Sequence, residues 1–309
     1  MSKKRLLVIG NSYMNFITKV KRAPERGETV LSNLDHLLVP GGLGAISAIS
    51  AAKFGLDVVL CTRIGNDENG EKLKSHFINE NLDMRFVITD RRKETGYKSI
   101  TIEDGGKART IVFPGANATL TFDDVESAFT CYPDAVLINY DLRDDLIFDT
   151  IKFAAASGIP VILSCGSEKT DVDVTGLDQV EIFAPNREQT FYLTGIDPVD
   201  VTSALRACVK MKNQMKTKLV VIKLGERGVF VFDGVYSEII PARPVNVVDT
   251  TGAGTIFNAA LAYSYLETGK ITQAANFANA AASFSVSKDG VFNAIPTPSD
   301  VETLLGSGV

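Results

Sequence analysis

Asp249-Thr250-Thr251-Gly252-Ala253-Gly254, running straight into the helical pattern of residues 255–266, is the stretch on which the fold turns. Gly252, Ala253 and Gly254 are small enough for their backbone to approach an anion closely. A helix starting there points unpaired first-turn N–H groups outward, an arrangement that holds phosphoryl oxygens without side chains. The same residues also read as a plain glycine-rich turn, so their setting matters. Upstream, short β-branched runs recur at 6–9, 58–61, 135–138, 161–163, 182–183, 219–222 and 229–232. Between them, 45–54, 70–79, 146–156, 199–215 and 255–266 carry apolar residues at helical spacing. That rhythm predicts an α/β fold with a mostly parallel central sheet and helices on both faces. Ligands in such sheets sit outside the carboxyl ends of the strands.

Two stretches break the rhythm, about 15–39 and 95–113, and both alternate like strands with turn residues such as Glu103-Asp104-Gly105-Gly106 between them. They predict a small β-sheet lid on what is otherwise one domain spanning 1–309. The exposed edges of such a lid need a cover, which makes a homodimer through the lid the expected assembly.

A net charge of −5, with 45% apolar and 22% charged residues, describes an ordinary globular chain that handles small molecules. No segment gathers enough Lys or Arg to neutralise several phosphates, which argues against a nucleic-acid partner. The apolar run after the basic start is too short for a leader or a membrane span, so the expected compartment is the cytoplasm. Cys61, Cys131, Cys165 and Cys208 lie far apart, without metal-ligand spacing, and read as reduced thiols.

DTTGAG resembles the carboxy-terminal signature of the PfkB carbohydrate kinases, the ribokinase-like family. Further resemblances follow in order: Pro24 to Thr29 at the lid entry, Gly41-Gly42-Leu43-Gly44-Ala45 for the amino-terminal GGKGAN, and Gly65-Asn66-Asp67 with Gly70 for GDDxxG. Gly115-Ala116-Asn117 marks the lid exit, Pro185-Asn186 the start of NxxE, and residues 223–228 the nucleotide-side turn. The resemblance implies a ribokinase-like fold and phosphoryl transfer from ATP and Mg2+ to a sugar or nucleoside hydroxyl. It places Gly252, Ala253 and Gly254 at the anion hole. Asn186, Gln189, Lys223, Gly225, Gly228 and Asn279 fall along the nucleotide, and Asp249 and Thr251 at a K+ site, where loop capping by Asp249 is the competing reading.

The same resemblance locates departures. The family's general base follows DTTGAG as an Asp, and here Thr255 stands in its place. The sugar pocket should comprise Tyr13, Asn15, Gly42, Leu43, Ile46, Asp141, Ser164 and Cys165. Asn15 replaces an Asp that grips sugar hydroxyls, Leu43 and Ile46 replace the Lys and Asn of GGKGAN, and Gln189 replaces the NxxE glutamate. An impaired kinase is the first expectation, since losing a general base costs roughly 10²–10⁴ in rate. Natural decay into a pseudokinase and deliberate redesign of an engineered protein would both leave this clustering. Three alternatives stay open: hydrolase-like chemistry with Ser164 or Cys165 as nucleophile and His36 as base, a pocket turned apolar for a less hydroxylated ligand, or an active sugar or nucleoside kinase that uses Asp141 as its base.

Overall fold

The first strand shows how the chain partitions itself. In β1 (Arg5–Ile9) Leu6 and Val8 enter one core while Leu7 and Ile9 enter another, because side chains alternate across a sheet and both faces of this one are covered. The computed structural model describes residues 3–32, 36–104, 106–165, 174 and 177–306. After β1 come β2 (Tyr13–Val20), β3 (Leu37–Gly41), β4 (Asp57–Gly65), β5 (Val87–Asp90), β6 (Tyr97–Glu103) and β7 (Ala108–Phe113). The second half supplies β8 (Ala135–Asn139), β9 (Val161–Ser164), β10 (Ile182–Ala184), β11 (Leu219–Lys223), β12 (Val229–Phe232) and β13 (Ser237–Ile240).

Among the described residues nine strands form one sheet in the order β13-β12-β11-β10-β9-β8-β1-β4-β5, parallel except where β12 runs against β11 and β13. The order reverses direction beside β1, which makes the carboxyl ends of β1 and β8 the crevice where a ligand is expected. The helices are α1 (Leu43–Phe54), α2 (Glu68–Asn79), α3 (Phe122–Ala128), α4 (Asp144–Ala156), α5 (Arg187–Thr194), α6 (Val201–Met215), α7 (Ala253–Thr268), α8 (Ile271–Ser285) and α9 (Pro298–Gly306). Residues of α1, α2, α7, α8 and α9 share the core of Leu6 and Val8; α3, α4 and α6 pack in that of Leu7 and Ile9.

A second sheet, β3-β2-β6-β7, is the lid. Its pairing fixes which side chains share a face. Asn15 pairs with Val39 and Lys98, and Lys98 with Val112, so these four lie on one face. Phe16 pairs with Leu38 and Ser99 on the other face, where its ring meets Tyr97 at 6.3 Å and Tyr97 meets Phe113 at 6.1 Å.

Candidate active site

Asn11 organises the crevice. Its Nδ2 donates to the carbonyl of Asp141 (2.8 Å) and to the phenol oxygen of Tyr13 (3.3 Å), tying the exit of β8 to the exit of β1. Its own carbonyl accepts from the amide of Gly44 (3.0 Å), which docks the start of α1 on the same loop. That docking explains two glycines. Gly42 has φ +97°, and a Cβ there would sit 2.4 Å from the Asn11 carbonyl oxygen; one on Gly44 would sit 2.5 Å from the carbonyl carbon of Gly10. Leu43 and Ile46 follow on α1, with Ile46 buried.

Two amides in this region each hold one buried, unpaired atom. Asn15 lies against Gly41, and its Oδ1 has no hydrogen-bond partner. Asn139, at the end of β8, accepts from the Ser47 hydroxyl (3.3 Å) through Oδ1, while its Nδ2 is unpartnered. Buried polar groups without partners are uncommon away from functional sites.

The other half of the site is a chain of side chains. Asn139 pairs in register with Ser164, whose Oγ accepts from the Asn258 amide; Asn258 Oδ1 accepts from Lys223 Nζ (3.1 Å). Asn258 lies one turn beyond Thr255 on α7. Burial pulls the Lys223 ammonium down to about 8, against a smaller opposing influence of Cys165. The Lys223 amide donates to the Pro185 carbonyl (2.9 Å), so the nucleotide-side turn meets Asn186. Asn186 and Gln189 form a reciprocal cap on α5, Asn186 Oδ1 accepting from the Gln189 amide (2.8 Å) and Gln189 Oε1 from the Asn186 amide (2.7 Å). Gly225 and Gly228 shape the turn with φ +64° and +91°, and Asn279 donates to the Pro241 carbonyl at the exit of β13 (2.7 Å).

At the carboxy-terminal signature, Gly252 (φ +79°) caps α7, and Gly254 is exposed with open space where its side chain would be. This is a cradle a phosphate can reach. Thr255 is buried in the first turn, its amide bonded to the Gly252 carbonyl (2.9 Å), and that turn carries no acidic residue. Asp249 Oδ1 accepts from the Thr251 amide (2.8 Å). Burial acts to raise the Asp249 pKa, but bonds from Thr251 and Gly290 outweigh it and leave the carboxyl below its usual range.

Three sequence expectations need correcting. His36 does not meet Ser164 or Cys165: its ring packs at a tilt against Phe16 (4.9 Å), on the lid face opposite Asn15. Strand alternation puts it there, and with it the proposed base leaves the site. The Cys165 thiol is buried, which pushes its pKa up to about 12 and keeps it protonated rather than nucleophilic. Ser164 already accepts from Asn258 and has no histidine partner among the described residues; Gly166 and Ser167 lie outside those residues. The lid face that carries Asn15 also holds a charged side chain. Lys98, overlooked in the sequence, is buried beside Asn15, with Nζ 4.4 Å from the centre of the Tyr13 ring. The signal available was its even spacing from other inward positions of a lid strand.

Comparison with known proteins agrees with this architecture. A bifunctional ribokinase/ribose-5-phosphate isomerase A of Fructilactobacillus sanfranciscensis is 31% identical over 297 residues; these cover 95% of this chain and 55% of that protein, so the chain spans about half its length. The ribokinase of Bacillus subtilis is 29% identical over 309 residues, 98% of this chain and 99% of its own. The structure of Arabidopsis thaliana ribokinase, solved with ribose and ATP, superposes with a TM-score of 0.89 at 27% identity, covering 99% of both chains. Residues 3–298 match the model of the pfkB family carbohydrate kinases, and the chain belongs to that family.

Proposed function

We propose that the protein binds ATP and a small hydroxylated acceptor in the manner of a sugar kinase but transfers the phosphoryl group slowly, for want of a general base. The observation that carries this reading is Thr255. It occupies the first turn of α7 beside an intact, open Gly252–Gly254 cradle, in a turn that has no carboxylate. A threonine hydroxyl is not basic near neutral pH. In a kinase of this kind the cradle holds the transferring phosphoryl oxygens, and a carboxylate takes the acceptor's proton.

The residues present fit the nucleotide's phosphates at Gly252–Gly254, with Lys223, Gly225 and Gly228 bordering it. Bound ATP-Mg2+ supplies the phosphoryl group and charge neutralisation. Gln189 has no charge to offer the metal, and its Oε1 already accepts from Asn186, so the ion depends on the phosphates themselves. Asp249 is a carboxylate ligand for K+ if its cap with Thr251 opens. Asn15, half-buried on the lid face, is the side chain placed to bond a ligand hydroxyl, while Asn139 is fully buried and holds the wall through Ser47.

Thr255→Asp is the test. With ATP-Mg2+ binding confirmed by calorimetry in both proteins, the variant should transfer phosphate to a sugar panel about 10²–10⁴ faster than the parent. Equal rates in the two would reject the assignment of Thr255 to the base position. The outer lid face, with Ile111 and Phe113 exposed next to Tyr97 and Phe16, supports self-association through the lid. Sedimentation should then show a dimer that Ile111→Glu dissociates.

A further inference from the structure

We propose that His76, on α2, is a positioning residue for the phosphate cradle: its ring braces the turn 290–292, and that turn supports Gly252 and Asp249. The proposal rests on the nucleotide reading of the cradle given above. Three consecutive residues make the connection. The Gly290 amide bonds Asp249. Val291 lies against Gly252, where a Cβ would come within 2.8 Å of its Cγ1. Phe292 is held at two points, its carbonyl accepting from Lys53 Nζ of α1 (3.0 Å) and its ring meeting that of His76 edge to face (centroids 4.6 Å, 66°). The chain before the turn is tied to the signature as well, the amides of Val248 and Asp249 both donating to the Val286 carbonyl (2.7 and 3.2 Å). A displacement of Phe292 therefore passes through its neighbour Val291 to Gly252, along packed and bonded groups.

The brace suits a neutral imidazole. His76 is half-buried, and its Nε2 is buried without a hydrogen-bond partner, so a proton there would lack an acceptor. The charged groups acting on it are Glu80, at the end of α2, and Lys53 of α1; Gly290, Val291 and Phe292 bring none. Lys53 Nζ already stands 3.9 Å from Glu80, so a protonated ring would share one carboxylate with the lysine and repel it. To reach water it must leave Phe292. Burial, with Lys53 adding to it and Glu80 opposing, holds the His76 pKa below its ordinary value of 6.5. The folded state thus binds its proton more weakly than the unfolded chain does. Stability tied to the neutral ring is complete above pH 6.5 and is lost as pH falls below it, and the brace opens in that acid range.

The experiment compares the parent with His76→Ala and His76→Phe at pH 7.5 and pH 5.5, by amide hydrogen exchange of the segment 249–256 without ligand and by calorimetric titration with ATP-Mg2+. At pH 7.5 the Ala variant should lose protection in 249–256 and bind ATP-Mg2+ about fivefold more weakly, while the Phe variant, which keeps a ring against Phe292, matches the parent. At pH 5.5 the parent should fall about fivefold below the Phe variant in affinity and lose protection in the same segment. Protonation of the nucleotide itself cancels in that ratio. Equal protection of 249–256 in the parent and the Ala variant, or a parent and Phe variant that respond alike to pH, would overturn the proposal. If the Ala variant does not fold, the pH comparison of the other two decides alone. A parent that binds no ATP-Mg2+ at either pH would strike the nucleotide reading, and the exchange data would still decide this one.

Discussion

Asn258→Leu should expose how the far side of the crevice is held. The Asn258 amide donates to Ser164, 94 positions away in sequence, and accepts from Lys223 at 3.1 Å, so a leucine of similar bulk removes both bonds and strands both partners. Each stranded group costs about 1–3 kcal/mol, the ammonium more than the hydroxyl, giving about 3 kcal/mol together. At about 2.1 cal/mol/K per residue the unfolding entropy of 309 residues is about 0.65 kcal/mol/K, so the midpoint should fall by about 5 °C. The loss should also depend on pH. Lys223 has a folded pKa near 8, below its unfolded value, so the folded state carries the full penalty of the charged form below pH 8 and sheds it as pH rises toward 10. Removing the Asn258 acceptor deepens that penalty while the lysine is charged and adds little once it is neutral. Denaturant unfolding of Asn258→Leu, Lys223→Met and the double variant at pH 7 and pH 10 measures this. The coupling should be about 2 kcal/mol at pH 7 and much smaller at pH 10. Additive costs that ignore pH would refute the network.

Gly42→Ala should destabilise the protein by about 1–3 kcal/mol through its left-handed backbone alone, and further by driving a methyl toward the Asn11 carbonyl; thermal melts and acceptor binding should both worsen. Cys165 should resist a maleimide at pH 8 in the native protein and react after unfolding, because its thiol titrates near 12; rapid native labelling, mapped by peptide mass, would contradict its burial.

Much of the frame was readable from the chain because β-branched runs buried on both faces have no other good interpretation. Each strand expected in the large sheet lies within an observed one, and the lid stretches are where the second sheet forms. The helix α8 escaped because its buried positions, including Ala274, Ala275, Ala278, Ala280 and Ala281, are mostly alanine, which gives little apolar contrast in the sequence. At the site, backbone-shaping glycines announced themselves by spacing. Side-chain partnerships did not: placing His36 outside and Lys98 inside requires the register of β2 against β3 and β6, which no local pattern encodes. The link from Lys223 through Asn258 to Ser164 joins three separate elements and was equally invisible.

The register of the lid has a further consequence for how such a chain can change. Positions 15 and 98 lie on one face of the lid and 16, 97 and 113 on the other, so neighbours along each strand project to opposite sides. Single substitutions can therefore alter one face without touching the other, on the same few residues of chain. A one-residue insertion within β6 would exchange that strand's own side chains between the faces, bringing Tyr97 or Ser99 to the face of Asn15 and turning Lys98 to the other. The lid should accordingly tolerate many replacements and few changes of length.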